Sequence, residues 1–280
     1  MTDGLRIAVL GAGYVGSAFA RAAASDTRHT VWAVRRTAGE SADGVTWLRG
    51  DVARGAIENF PTQLDAIVLT VAPARSTDAY DAYDATYPPC ATAAVALARA
   101  SGATRLVYTS STGVYGGRDG AWVSESRARL GVGGTNAALI AAEDIVLDAG
   151  IAAPTVLRVA GIYGPGRDPR ARMMKVDALA QRGEYWTNLA HRDDIVAALR
   201  HVLALTDPPR VLNVSDGSPQ RAADVARWLC AQAGADSASL LFGNDAQRSR
   251  NDQRVSNAAL VATGWAPIYP SFREGFAIGL

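Results

Sequence analysis

Three glycines in the stretch VLGAGYVGSAFA, namely Gly11, Gly13 and Gly16, have the spacing Gly-x-Gly-x-x-Gly. The chemistry this spacing permits is the cradling of a pyrophosphate. The first glycine allows a tight turn, the second lets phosphate reach the backbone, and the third lets a helix lie close to a strand. Tyr14 and Val15 complete the loop, and the helix that follows offers free N–H groups and its positive dipole end to an anion. A second apolar run ends in Arg35-Arg36, where chains that select NAD place an acid for the ribose 2′-hydroxyl. No acid comes before Glu40. Two guanidiniums suit a 2′-phosphate instead, so the expected cofactor is NADP(H), with NADPH favoured over NADH.

A second chemical cluster lies in LVYTSSTGVYGG, where apolar residues lead into the hydroxyls of Thr109, Ser110, Ser111 and Thr112. Ligands of open α/β sheets bind at the C-terminal edge of the strands, where such a cluster belongs. Tyr115 and Tyr163 are the nearest phenols and could donate a proton, stack on a substrate or simply pack. Gly164-Pro165-Gly166 reads as a hinge, with Arg167 or Arg172 facing an anionic or carbonyl-bearing substrate. His29, His191 and His201 have no ligand spacing, which implies no metal site. Cys90 and Cys230 read as helix-packing thiols.

The elements that must position these groups alternate. Arg6–Leu10, Thr30–Val34, Ala66–Thr70, Arg105–Thr109 and Pro154–Val159 are short, β-branched runs of the kind buried on both faces of a parallel sheet. Ala-rich stretches, 17–25 and 91–101, lie between them, and a further helix starts at 135, where Thr135 or Asn136 could cap it. The expectation is an α/β fold: a Rossmann-type, doubly wound parallel sheet over 1–160, with a smaller interleaved C-terminal lobe over 161–280 and no linker. Helices are expected at 193–205 and 222–232.

At 280 residues, 49% hydrophobic and with a net charge of +1, the chain has no charge bias toward nucleic acid or membrane. No apolar run is long enough to span a bilayer, and the first residues lack the basic start of a signal peptide. The cytoplasm, a small-molecule substrate and an open oligomeric state are the expectations.

The order of the glycine fingerprint, YTSSTGVYG, a helix carrying Ala-Ala-Glu, LRVAGIYGPGR and HRDDIVAAL resembles the extended short-chain dehydrogenase/reductases, the NAD-dependent epimerase/dehydratase group. The resemblance runs from residue 6 to about 276. It implies that Ser111 bonds the substrate oxygen and that Asp51 and Val52 lie beside the adenine. Val71, Ala72 and Pro73 then flank the cofactor with Thr109, and Ala160 and Ile162 pass the nicotinamide. His191 and the Asp193-Asp194 pair align with a structural turn before a helix. The family's Tyr-x-x-x-Lys falls on Thr135 and Leu139, neither of which can ionise usefully or carry the lysine's charge. The departure is similar to the atypical branch of the superfamily, which keeps the fold without the standard tetrad.

Three functions fit. In the first, hydride transfer to or from a small carbonyl, imine or alcohol substrate proceeds with a proton from Tyr115 or from water held by Ser111 and Thr135, while Leu139 lines the cofactor pocket. In the second, the chain senses NADP(H) without turnover. The third, a sugar-nucleotide epimerase or dehydratase, is the weakest, since those reactions begin through the missing tyrosine.

Overall fold

The computed structural model describes residues 4–37, 43–73, 78–117, 119–130, 134–167, 183–232, 234 and 252–277. The chain forms two compact units, the first built from Met1–Val114, Gly131–Arg158 and Ile195–Leu212, the second from Tyr115–Leu130, Val159–Asp194 and Asn213–Leu280. The chain thus crosses between units more often than a single boundary at 160 would allow. A helix expected in the C-terminal lobe lies largely in the first unit.

That first unit is organised by one sheet. Its strands are β1 (Arg6–Leu10), β2 (Thr30–Arg35), β3 (Val45–Asp51), β4 (Ala56–Ile57), β5 (Ala66–Leu69), β6 (Arg105–Ser111), β7 (Ala153–Val159) and β8 (Val211–Val214). Their order is β8-β7-β6-β5-β1-β2-β3-β4. β1 is parallel to both β2 and β5, so the order reverses at β1 and opens a crevice beyond its C-terminal end. Every residue of β5 is buried, as a strand covered on both faces requires. β3 was not expected. Its burial is uneven and without the two-residue alternation of a half-buried strand, and only Val45 and Leu48 are buried.

The helices of this unit are α1 (Tyr14–Ala24), α2 (Ala79–Asp84), α3 (Tyr87–Ser101), α4 (Thr135–Leu147) and most of α5 (Arg192–Ala204). Tyr87-Pro88-Pro89, which reads as a loop in sequence, is the first turn of α3. Prolines are tolerated there because first-turn N–H groups have no helical acceptor. α4 begins at Thr135 with Gly134 as its N-cap and no side-chain cap. Neither Thr135 nor Asn136 therefore caps it. Sequence spacing predicts an apolar stripe of Leu139, Ala142, Ile145 and Val146 on this helix; Leu139, Ala142 and Val146 are buried and Ile145 is half-buried, and α4 packs on α3 and β6.

One buried charge fixes α4 against the sheet. Glu143 accepts a hydrogen bond from Ser110 Oγ at 2.7 Å. Arg158 on β7 reaches the same carboxylate with Nε at 3.0 Å and 3.2 Å and with Nη2 at 2.8 Å. Glu143 and Arg158 are both buried. Removing one partner of such a pair strands the other charge, which costs about 3–5 kcal/mol. Glu143→Leu or Arg158→Met alone should lower the urea midpoint sharply, whereas the double variant should recover more than half of the loss. Equal midpoints for single and double variants would overturn the assignment.

The second unit holds α6 (Ala222–Gln232), α7 (Ala258–Ala262) and α8 (Phe272–Ala277), with short ladders 161–163 on 189–191, 186–187 on 220–221 and 122–123 on 254–255. Its core gathers Tyr163, Val225, Leu229, Phe272 and Phe276. Cys90 in α3 and Cys230 in α6 are free and buried. Burial pushes the Cys90 thiol up to about 11.

Candidate active site

In the glycine loop, each of the three positions has a separate steric reason. Gly11 has φ +87°, and a Cβ there would sit 2.7 Å from Val71 Cγ1. A Cβ at Gly16 would lie 2.3 Å from Thr70 Oγ1 and 2.6 Å from the Gly11 carbonyl. Gly13, the N-cap of α1, would bring its Cβ no nearer than 3.9 Å to anything, so its face is open to an approaching ligand. Turn, packing and approach are therefore divided among the three as the phosphate cradle needs. The loop is tied to β2 by Gly11 N and Ala12 N, which donate to the Val34 carbonyl at 3.2 Å and 2.8 Å. Thr70 Oγ1 donates to the Gly11 carbonyl at 3.0 Å. Tyr14 and Val15 open α1 and are half-buried.

Around this loop the first unit places several of the expected residues. Val71 abuts Gly11, followed by exposed Ala72 and half-buried Pro73. Arg35 stacks on the Trp47 indole, 4.4 Å from guanidinium carbon to ring centre, and Arg36 is exposed at the end of β2. Asp51 ends β3 and accepts from Ala53 N at 3.1 Å, capping the short turn that buried Val52 begins. Thr109 Oγ1 donates to the Leu69 carbonyl at 3.2 Å. Ser111 closes β6 and its Oγ accepts from Gly113 N at 3.1 Å. Because α4 follows β6 and returns along the sheet, its first turn lies at that same C-terminal edge. Thr135 there is half-buried, and Leu139, one turn on, is 3% exposed.

The second unit holds the others. Ala160 is buried and its N–H donates to the Val214 carbonyl at 3.0 Å, while Ile162 sits in the 161–163 ladder. The expectation that Tyr115 or Tyr163 offers its phenol to chemistry meets a physical obstacle. Tyr115 is fully buried and donates to Asn213 Oδ1 at 2.7 Å. Asn213 in turn donates to the Ser256 carbonyl at 3.0 Å and, through its backbone, to Glu125 Oε1 at 2.7 Å. Tyr163 lies in the aromatic core, its ring 4.7 Å from Phe276 and 5.2 Å from His191. Burial raises its phenol well above the ordinary value. Both tyrosines are packing residues in this structure. Arg167 is exposed and closes a turn through its N–H to the Gly164 carbonyl at 2.9 Å. Arg172 lies outside the described residues.

Sequence reasoning passed over Asn213, Glu125 and Arg158, which lack a motif signal because their partners are distant in the chain. His191 and Asp194 act as expected of a turn before a helix. His191 Nδ1 accepts from Asp193 N at 3.2 Å, and Asp194 Oδ1 accepts from Ile268 N at 2.5 Å. Burial lowers the His191 pKa. It raises Asp194 to about 6 and Asp216 to about 7. Among the described residues no group of acidic, histidine or cysteine side chains could hold a metal ion, and no helix is long and apolar enough to cross a membrane.

The glycine cradle at the reversal of strand order, with a hydroxyl cluster on the same sheet edge, defines a dinucleotide-binding type of α/β fold. The profile of the NAD dependent epimerase/dehydratase family matches residues 7–215, and the chain belongs to that family. Protein YeeZ of Escherichia coli K12 is 32% identical over 150 residues, which cover 54% of this chain and 52% of YeeZ. The match therefore spans about half the length of that relative. A Methylobacillus flagellatus structure assigned to the NAD-dependent epimerase/dehydratases is 26% identical, with TM-score 0.78 over 98% of this chain and 97% of that one. The Bordetella bronchiseptica enzyme WbmG, solved with NAD and UDP, shares the fold at TM-score 0.81 and 16% identity, over 98% of this chain and 93% of WbmG.

Asp216 generates a test of the electrostatics. Its folded pKa, about 7, lies above the ordinary 3.8. Between those values the folded state holds a proton that the unfolded state has lost, so this group's contribution falls as pH rises through the window. Asp216→Asn removes that dependence. Relative to wild type, the variant should gain stability from pH 4 to pH 8 by on the order of 1–3 kcal/mol in urea denaturation. A difference independent of pH would sink the assignment.

Proposed function

We propose that the chain is a nicotinamide-dinucleotide-dependent oxidoreductase with a non-standard proton source and a preference for NADPH. The observation that carries this is the C-terminal edge of the first unit. There the cradle is sterically complete and Ser111 is present, yet the start of α4 offers Thr135 and Leu139 where the family has a phenol and an ammonium. The bound NAD of the WbmG structure supports dinucleotide binding in the shared fold. Arg36, exposed beside the Trp47-stacked Arg35, supports the 2′-phosphate preference.

In this proposal the protein positions and polarises while the cofactor carries the hydride. Ser111 donates to the carbonyl or imine heteroatom, Leu139 faces the cofactor side, and water bound between Ser111 and Thr135 delivers the proton. A nicotinamide dinucleotide held by the Gly11–Gly16 loop would supply the hydride to the carbonyl or imine carbon, while Ser111 would hold the heteroatom that receives the electron pair. That heteroatom takes its proton from the water. A general acid typically contributes about 10²–10⁴-fold, so turnover is slow rather than absent. The second reading, a sensor of NADP(H), is favoured by the buried leucine at the lysine's position.

Two measurements separate these readings. Calorimetry should show NADPH binding at least about tenfold more tightly than NADH, with Arg36→Ala closing most of the gap and Gly13→Ala weakening both without lowering the melting temperature. Equal affinities in the wild type would refute the preference. Single-turnover assays with C4-deuterated NADPH and a panel of carbonyl and imine substrates should place label in product, with Ser111→Ala slower by about 10²-fold or more. Tight NADPH binding without transfer to any substrate would establish the sensor instead.

A further inference from the structure

The opposite end of the first unit's sheet carries a cavity of about 470 Å³. This is within the range of about 300–1,000 Å³ that accommodates small ligands. Its floor is Ile7 from the start of β1 with Phe19 and Ala23 from α1, and its far wall is Ala197 and Leu203 from α5. From Ile7 to the glycine loop at Gly11 is about 13 Å of strand. The cavity is therefore distinct from the dinucleotide edge.

The polar lining is strongly one-sided in sign. Arg28, Arg105 and Arg200 face the cavity with a single carboxylate, Asp26. Asp26 is already engaged by Arg28 Nη2 at 2.6 Å. Arg105 spends one N–H on the Leu205 carbonyl at 2.7 Å, and among the described residues neither Arg105 nor Arg200 makes an ion pair. His29 Nδ1 accepts from Leu5 N at 2.9 Å, and its Nε2 lies 3.9 Å from Asp26 Oδ2. An apolar floor under uncompensated guanidiniums selects a ligand with two parts. The body must be apolar and the head anionic, since a cation would meet like charge and a fully polar anion would leave the floor unused.

We propose that this cavity is a second ligand site, for a small organic monoanion with a carboxylate or sulfonate head on an apolar body. The probe is sodium decanoate, titrated calorimetrically into the full chain below its micelle concentration, with decyltrimethylammonium as the cationic counterpart of equal chain length. Decanoate should bind with a submillimolar Kd and the cation should not. Arg200→Glu, an exposed change, should weaken decanoate by about fivefold. Ala197→Trp, at a half-buried wall position, should abolish binding by filling the space. Should that variant not fold, Arg200→Glu decides alone. Absence of heat with millimolar decanoate, equal binding of the cation, or an Arg200→Glu affinity equal to wild type would each overturn the site.

Discussion

The carboxylate of Glu143 is the constraint on which the geometry of the first unit depends. It draws a hydroxyl from β6, a guanidinium from β7 and its own helix α4 to one buried point. A buried ion pair of this kind adds little net stability over an apolar replacement, because desolvation offsets most of the attraction. Its consequence is registry. Hydrogen bonds of 2.7–3.2 Å tolerate little sliding, so α4 can take only one height against β6. Ser111 is the residue after Ser110, and Thr135 is two turns before Glu143 on the same helix. The separation of two hydroxyl-bearing residues at the sheet edge is thereby set from inside the fold.

The glycine loop obeys a constraint of a different origin, excluded volume. At Gly11 and Gly16 a side chain would collide with Val71 or Thr70, just beyond the end of β5, or with the loop's own carbonyl, so these positions serve close approach of chain segments. At Gly13 a Cβ would meet no atom closer than 3.9 Å, and the backbone stands at φ −86°, ψ −142°. The space over Gly13 is what a phosphate approaching the backbone needs. The first unit thus combines a polar lock on one side of the sheet edge with a steric cradle on the other.

Much of this was legible in the sequence because it is local. The glycine spacing, the continuous β-branched runs of β1, β2 and β5, and the stripe Leu139, Ala142 and Val146 are read within a dozen residues. What escaped depends on distance or on weak pattern. β3 has no clear periodicity because it lies toward the edge of the sheet, and its sequence VTWLRGD holds charges and a glycine. The prolines at the head of α3 look like loop residues until the chain's missing N–H groups are seen to be harmless there. Tyr115 resembled a catalytic phenol because it lies near Ser111 in sequence, but its partner Asn213 is 98 positions away. Only folding reveals that its hydroxyl is already committed.

The sequence resemblance puts a lysine at the position of Leu139, where this chain has a buried leucine. A lysine there would bring a cation into the buried face of α4, and such a charge is stable only when a ligand or a carboxylate meets it. Leucine reverses the dependence. Its burial contributes roughly 1.5–3 kcal/mol whether or not anything is bound. The one carboxylate buried on that helix, Glu143, is taken by Arg158, so a lysine would find no second partner from that source. Within the chain itself, α4 is held by packing and by the Glu143 lock.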